Sequence, residues 1–176
     1  MKDMEIRLGT AEVETRGENA APVVRGYAAV FNQWSGNLGG FVEQIAPGAF
    51  EGRLADDVFA YLNHDPSKAV GRNGANLRLS VDNVGLRYEL DPPDTNEGRD
   101  LVENLRAGII TKSSFGFTVE ADEWERAQER GEPARRTVTR IGRLFEVSPL
   151  TMAPETCCLV GRVTCNHRNE PSSTWQ

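Results

Sequence analysis

The stretch NLRLSVDNVGLRYEL, residues 76–90, decides the fold class of this chain. Apolar residues alternate with polar ones on both sides of the turn residues DNVG, at Leu77, Leu79 and Val81 before them and at Leu86, Tyr88 and Leu90 after them. A period of two is typical of strands that bury one face, and a short polar connection joins such strands into a hairpin. The sequence therefore predicts a β-hairpin here.

Strand character continues along most of the chain, which contains 17 glycines and 9 prolines. The segments EIRLGTAEVET and PVVRGYAAVF are typical of two strands separated by the polar RGENAA, and TKSSFGFTVE and TVTRIGRLFEVSPL are typical of two more. The highly charged VEADEWERAQERGEPARR is broken by glycine and proline, and it predicts a surface excursion, either a helix or a long hairpin tip.

One helix is predicted in TNEGRDLVENLRAG, residues 95–108. Thr95 or Asn96 caps its start, and Gly108 suits the position just past its end. Its apolar residues recur at helical spacing, at Leu101, Val102, Leu105 and Ile109.

The segment LADDVFAYLNH, residues 54–64, is compatible with two structures. Leu54, Val58 and Leu62 recur every four residues, as in a weak helix, but VFAYL is rich in strand formers. With no repeat and no linker in view, we expect one β-rich α+β domain over residues 1–165 and a flexible polar tail over 166–176.

Composition excludes several classes of protein. Apolar residues make up 39% and charged residues 26% of 176 residues, a globular composition without a membrane-spanning run. The first residues lack the apolar core of a secretion signal, so we expect a cytoplasmic location. The net charge of −6 disfavours nucleic-acid binding, although ARRTVTRIGR carries four arginines.

His64 is the first candidate for chemistry, since the chain has only one other histidine, His167 in the polar tail. It follows the apolar VFAYL, and Pro66 predicts that the chain turns there. The scaffold would then hold an imidazole within reach of solvent. The alternative is a hydrogen-bonded histidine at a strand end, the ordinary role of such a residue.

Ser113 and Ser114 are candidates for a nucleophile, which needs a neighbouring base. On a strand, adjacent side chains point to opposite faces. Ser113 shares a face with Phe115 and Phe117, which predicts a core position, whereas Ser114 shares a more open face with Gly116. The alternative is that both serines only cap the end of the preceding connection.

Glu146 lies in the apolar strand RLFEVSPLT, where a carboxylate needs a partner. That partner is either a histidine or one of the arginines, such as Arg140 or Arg143. Ser148 is a further hydroxyl, but Pro149 follows it, which predicts a turn. A histidine, a serine and a glutamate are thus available, but spacing alone does not establish a catalytic triad.

Six ordered motifs resemble the prohead (capsid-maturation) serine proteases of tailed phages, and the resemblance covers about residues 5–155. They are GYAAVFN (26–32), FVEQIAPGAF (41–50), YLNHD (61–65) with VGR (70–72) close behind, GLRYEL (85–90), AGIITKSSFGF (107–117) and LFEVSPLT (144–151). The resemblance implies the fold of the herpesvirus assemblins, a β-barrel flanked by a few helices.

The resemblance also implies a function and the residues that perform it. Ser114, directly before FGF, would be the nucleophile, His64 of NHD the base, and Glu146 of EVS the third member. The enzyme would be a serine endopeptidase that cleaves scaffold segments and capsid-protein leaders by acyl transfer. It would act inside the assembling prohead in the host cytoplasm.

The resemblance further implies partners and cofactors. The major capsid protein and scaffold segments would be polypeptide substrates, with self-cleavage and a homodimer left open, and no nucleic acid, membrane, metal or cofactor would be needed. The main alternative is a capsid-assembly or scaffold protein of the same fold without activity. A β-barrel binding module and a protease fused to a scaffold are further alternatives.

Cysteine spacing offers a separate metal hypothesis. Cys157, Cys158, Cys165 and His167 cluster late in the chain, but adjacent cysteines fit zinc poorly, and an odd number does not indicate a disulfide framework. Free thiols are the expected outcome.

Overall fold

The computed structural model describes residues 4–15, 21–127, 129 and 131–151, with backbone only over 8–15. Within these residues the chain forms nine strands and one helix. In chain order they are β1 (Glu5–Thr15), β2 (Pro22–Val30), β3 (Phe41–Ile45), β4 (Phe59–Leu62), β5 (Asp65–Arg72), β6 (Leu77–Val81), β7 (Gly85–Leu90), α1 (Asn96–Arg106), β8 (Lys112–Glu125) and β9 (Ala134–Leu150).

The hairpin that decides the fold class is formed by β6 and β7. The strands pair antiparallel from Leu77↔Leu90 to Val81↔Leu86, as predicted. The turn is held by Asp82, whose carboxylate accepts hydrogen bonds from the backbone N–H groups of Val84 and Gly85. This local side-chain to backbone pattern is one reason why aspartate favours turns.

The strands form a single sheet in the order β5-β4-β9-β8-β1-β2-β7-β6. The long strand β9 pairs antiparallel with β8 along one edge. Along its other edge it pairs parallel with β3 near its start and with β4 near its end. Strands β8 and β9 therefore form the centre on which the rest of the sheet is built.

The predicted β-barrel is wrong, because the sheet is open. Strands β5 and β6 stand at its two ends and do not pair with each other as neighbouring strands. Between them, the Asn76 side chain donates to the carbonyls of Val70 and Asp91, and the Asn73 side chain donates to the carbonyl of Leu54. These bonds to single carbonyls do not form the strand-to-strand ladder that closes a barrel.

The expectation of a few helices is also wrong for the described residues, which hold only α1. That helix follows its prediction: the Thr95 hydroxyl accepts from the Gly98 N–H, and Gly108 ends it with a φ of +69°. Ile109 does not join the apolar face, since it lies past the end of the helix and is exposed. No helix among these residues is long and apolar enough to cross a membrane.

The two ambiguous segments are both strands. Val58, Ala60 and Leu62 are buried at a period of two, so residues 59–62 form β4 rather than a helix. The charged excursion is the outer part of a long β8–β9 hairpin, paired as far as Glu125↔Arg135. The hairpin-tip interpretation is therefore correct.

A buried ionic cluster ties β1 to β3 and β9, and nothing in the sequence pattern predicts it. Arg7 lies 2.7 Å from Glu5 and 2.5 Å from Glu43. Arg136 lies 2.9 Å from both of these carboxylates and 2.7 Å from Asp122. Paired in this way, the charges tolerate burial that an isolated charge would not.

Candidate active site

His64 occupies the two-residue turn between β4 and β5. Leu62 pairs with Asp65, and the residues between them, Asn63 and His64, have φ values of +53° and +59°. Two successive left-handed residues define a type I′ hairpin turn. The turn arises there and not at Pro66, which belongs to β5.

The imidazole of His64 pairs with Glu146. His64 Nδ1 lies 2.7 Å from Glu146 Oε1, and the Ser148 hydroxyl donates to Glu146 Oε2 at 3.1 Å. Because an ionised carboxylate only accepts, the proton of a neutral imidazole sits on Nδ1 and leaves Nε2 free as an acceptor. Both oxygens of the carboxylate are thus held, and its side chain is 6% exposed.

The arginine alternative for Glu146 is therefore wrong. Arg140 pairs with Glu120 at 3.5 Å, and the Arg143 guanidinium stacks over the ring of Phe145. The expectation that Ser148 shapes a turn is wrong as well, since Ser148 lies in β9 and its hydroxyl binds the carboxylate.

Ser114 lies on the same face of the sheet as Glu146. Across the β8–β9 ladder Ser114 pairs with Ser148, and Gly116 pairs with Glu146. Residues opposite each other in an antiparallel pair point to the same side, so this face collects the serine, the glutamate and the second hydroxyl. His64 reaches it from the β4–β5 turn.

Ser113 faces the other way, into the core beside Tyr88. Burial raises the pKa of Tyr88 to about 12, and the neighbouring Ser113 hydroxyl lowers it in part. Among the described residues, neither the Tyr88 hydroxyl nor the Ser113 hydroxyl has a partner that meets the distance and angle of a hydrogen bond. Strand alternation therefore assigned the two serines to the correct faces.

The expected openness of the Ser114 face is wrong, because Ser114 is 0% exposed. A side chain at Gly116 would put its Cβ 2.9 Å from Glu146 Cγ and 3.2 Å from the Met4 sulfur. The space beside the glycine thus holds the glutamate side chain. Within the described residues Ser114 Oγ has no hydrogen-bond partner, so it is not bonded to His64 in this conformation.

Two aromatic residues of β4 lie beside the pair, and the sequence analysis did not single them out. The rings of Phe59 and Tyr61 stack with centroids 5.7 Å apart, and Phe59 is the ladder neighbour of Glu146. Burial raises the pKa of the Tyr61 phenol, as do the negative charges of Glu146 and Asp57. The signal in the sequence was the spacing of two between Phe59 and Tyr61, which places them on the face opposite to the buried Ala60 and Leu62.

Metal ligands do not gather in the described part of the chain, where no group of three His, Cys, Asp or Glu side chains could hold an ion. The cysteine cluster, Cys157, Cys158 and Cys165 with His167, lies outside the described residues. The same holds for the predicted tail and for the boundary at residue 165, which stay predictions.

Comparison with known families decides the identity of the chain. The family model described as caudovirus prohead serine protease matches residues 8–157, a span that includes His64, Ser114 and Glu146. The chain belongs to the caudovirus prohead serine protease family. The predicted family is thereby confirmed, and with it a general role in phage capsid maturation.

Neither the curated proteins nor the solved structures contain a match to this prohead protease family member. The relation to herpesvirus assemblins therefore stays a prediction. The family implies a serine peptidase.

Proposed function

We propose that this chain is a serine endopeptidase that cleaves capsid-protein leader and scaffold segments during phage head maturation. Ser114 is the nucleophile, His64 the general base, and Glu146 the group that orients the histidine. The observation that carries the proposal is the 2.7 Å contact of His64 Nδ1 with Glu146, on the sheet face that also holds Ser114. The enzyme would act inside the assembling prohead in the host cell.

The reaction is acyl transfer. As Ser114 Oγ attacks the peptide carbonyl carbon, its proton passes to His64 Nε2, the nitrogen that the Nδ1 contact leaves free. The imidazolium then protonates the leaving amine as the C–N bond breaks. Water hydrolyses the acyl-enzyme, with His64 again taking the proton.

Glu146 serves this cycle in two ways. Its contact with Nδ1 fixes the tautomer and the plane of the imidazole, and its negative charge stabilises the imidazolium that forms during attack. The carboxylate is nearly buried, where the low local dielectric strengthens such an interaction. Ser148 holds the second oxygen and so keeps the carboxylate from rotating.

The conformation described here is a resting one under this proposal. Ser114 has no exposed surface, whereas the His64 side chain is 23% exposed. A peptide carbonyl therefore reaches Ser114 only after residues over this face move. Active-site hydrogen bonds are often completed only when substrate binds, which fits an unpartnered Ser114 Oγ.

A matched pair of variants tests the proposal. The chain is co-expressed with the capsid-protein gene of its own phage, and cleavage of the capsid protein is followed by mass spectrometry. Ser114→Ala should abolish cleavage, and Ser113→Ala should retain most of it. Both changes remove a buried hydroxyl without a full hydrogen bond, so neither should unfold the protein.

A fluorophosphonate probe gives a second readout that needs no knowledge of the peptide substrate. The serine oxygen attacks phosphorus, and fluoride leaves. Labelling should map to the peptide that contains Ser114 and disappear in Ser114→Ala. Cleavage by Ser114→Ala, together with an inactive Ser113→Ala, would overturn the assignment. A wild-type chain that assembles heads but neither cleaves nor labels would favour the inactive capsid-assembly alternative.

A further inference from the structure

We propose that Asn63 is a positioning residue that clamps the His64 turn onto the end of β9; this rests on the proposed function and deepens it. Asn63 does not touch the reacting atoms. Its role is to hold the imidazole where Nδ1 meets Glu146.

Both the backbone and the side chain of Asn63 bind the end of β9. The Asn63 N–H donates to the carbonyl of Pro149 at 3.1 Å. Its Oδ1 accepts from the Thr151 N–H at 2.9 Å and from the Thr151 hydroxyl at 3.2 Å. Three hydrogen bonds therefore join a two-residue turn to one strand end.

These bonds take over where the regular ladder stops. Strand β4 pairs with β9 only through Phe59↔Glu146 and Ala60↔Val147. Pro149 has no N–H to donate. The Asn63 side chain accepts instead from the N–H of Thr151, the residue just past the end of β9. The clamp thus extends the attachment of β4 past the proline, up to the residue before His64.

The backbone of the turn explains why such a clamp is needed. His64 has a φ of +59°, in the left-handed region that favours glycine and is costly for a histidine. A residue in such a conformation persists when its surroundings hold it there, and these conformations cluster at functional sites. The bonds of Asn63 supply that hold one residue away from the imidazole.

Substitutions at position 63 separate the clamp from the backbone geometry. Asn63→Gly adopts positive φ without penalty but removes the acceptor for Thr151. Asn63→Asp keeps an acceptor oxygen and tolerates the left-handed region. Asn32→Gly is the matched control, because Asn32 is a second asparagine of positive φ, 54°, exposed at a turn outside the site.

The first measurement is the rate of fluorophosphonate labelling, supported by kcat and KM on the capsid substrate. Asn63→Gly should lose about 10- to 100-fold in labelling rate and in kcat, with KM within about twofold, because a small misplacement of a catalytic group is costly. Asn63→Asp and Asn32→Gly should stay within about threefold of wild type. Wild-type rates in Asn63→Gly would overturn the proposal.

The second measurement does not depend on catalysis. The chain has two histidines, so the imidazole NMR signals of His64 are assignable with a His167→Gln variant. A solvent-protected Nδ1 proton on His64 is expected in wild type and Asn63→Asp and should be lost in Asn63→Gly. If the proton responds in this way but wild type shows no peptidase activity, the clamp stands and the proposed function fails. A protected proton that survives in Asn63→Gly overturns the clamp, whatever the activity.

Discussion

Gly116 and Glu146 face each other across the β8–β9 ladder, and the glutamate side chain fills the space that a side chain at position 116 would need. The contact between the Glu146 carboxylate and His64 thus depends on the absence of a Cβ at position 116, two residues from Ser114. A methyl group there would lie 2.9 Å from Glu146 Cγ and 3.0 Å from Oε1.

Gly116→Ala should therefore lose more activity than its loss of stability explains. The added methyl group pushes Glu146 away from His64, and overpacking of this kind costs about 1–3 kcal/mol of stability. We expect the rate of fluorophosphonate labelling to fall at least about tenfold. The midpoint of thermal unfolding is measured on the same variant. Gly142→Ala is the control, since its Cβ would meet Thr118 Oγ1 at 3.0 Å, a similar clash on the same sheet. Equal losses of activity in the two variants would contradict this role for Gly116.

Glu146→Gln tests whether the charge of the carboxylate matters for the reaction. The amide keeps the volume, but it loses the negative charge that stabilises the imidazolium, and its NH₂ group can favour the wrong tautomer of His64. We expect the cleavage rate to fall by about a thousandfold or more, with little change in folding. The exposed Glu120→Gln on β8 should leave the rate unchanged. A fully active Glu146→Gln would remove Glu146 from the proposed triad.

Elements with local signals could be predicted from the sequence. The β6–β7 hairpin has Asp82 in its turn, and α1 has Thr95 at its cap, so a few neighbouring residues determine each. Sheet closure has no such signal, because it depends on pairing between strands far apart in the chain. At the open seam, the Asn76 side chain binds two separate carbonyls, an arrangement that no periodicity reveals.

The site was predictable in part for the same reason. Alternation along β8 predicted opposite faces for Ser113 and Ser114, because the face to which a side chain points is a local property of a strand. The type I′ turn at His64 was missed because neither of its residues is glycine, and Ser148 was misjudged from the proline that follows it. The burial of Ser114 results from tertiary packing, which strand alternation does not report, so the prediction of an open face was wrong.

Alkaline pH should destabilise the fold through Tyr88. Burial raises the pKa of Tyr88 to about 12, above the value of 10.0 for a free tyrosine. Because the folded-state pKa is the higher one, this stability is present below about pH 10 and is lost as pH rises through about 12, roughly 3 kcal/mol in total. Urea unfolding across this range measures it.

Tyr88→Phe should flatten that alkaline slope, because the phenylalanine has no proton to lose. In Tyr27→Phe, where the lost phenol lies at the surface and binds Asp82, most of the slope should remain. An unchanged slope in Tyr88→Phe would mean that the buried phenol ionises as readily in the folded chain as in the unfolded one.

The buried ionic cluster should be sensitive to the loss of a single member. Arg136→Met leaves the Glu5 and Glu43 carboxylates with one guanidinium fewer in a buried site, and an uncompensated buried charge costs about 3–5 kcal/mol. Arg78→Met breaks the exposed pair with Asp91 and should cost less than about 1 kcal/mol. Urea denaturation at neutral pH gives both free energies of unfolding. Similar small losses in the two variants would show that water compensates the carboxylates and that the cluster does not fix β1 in place.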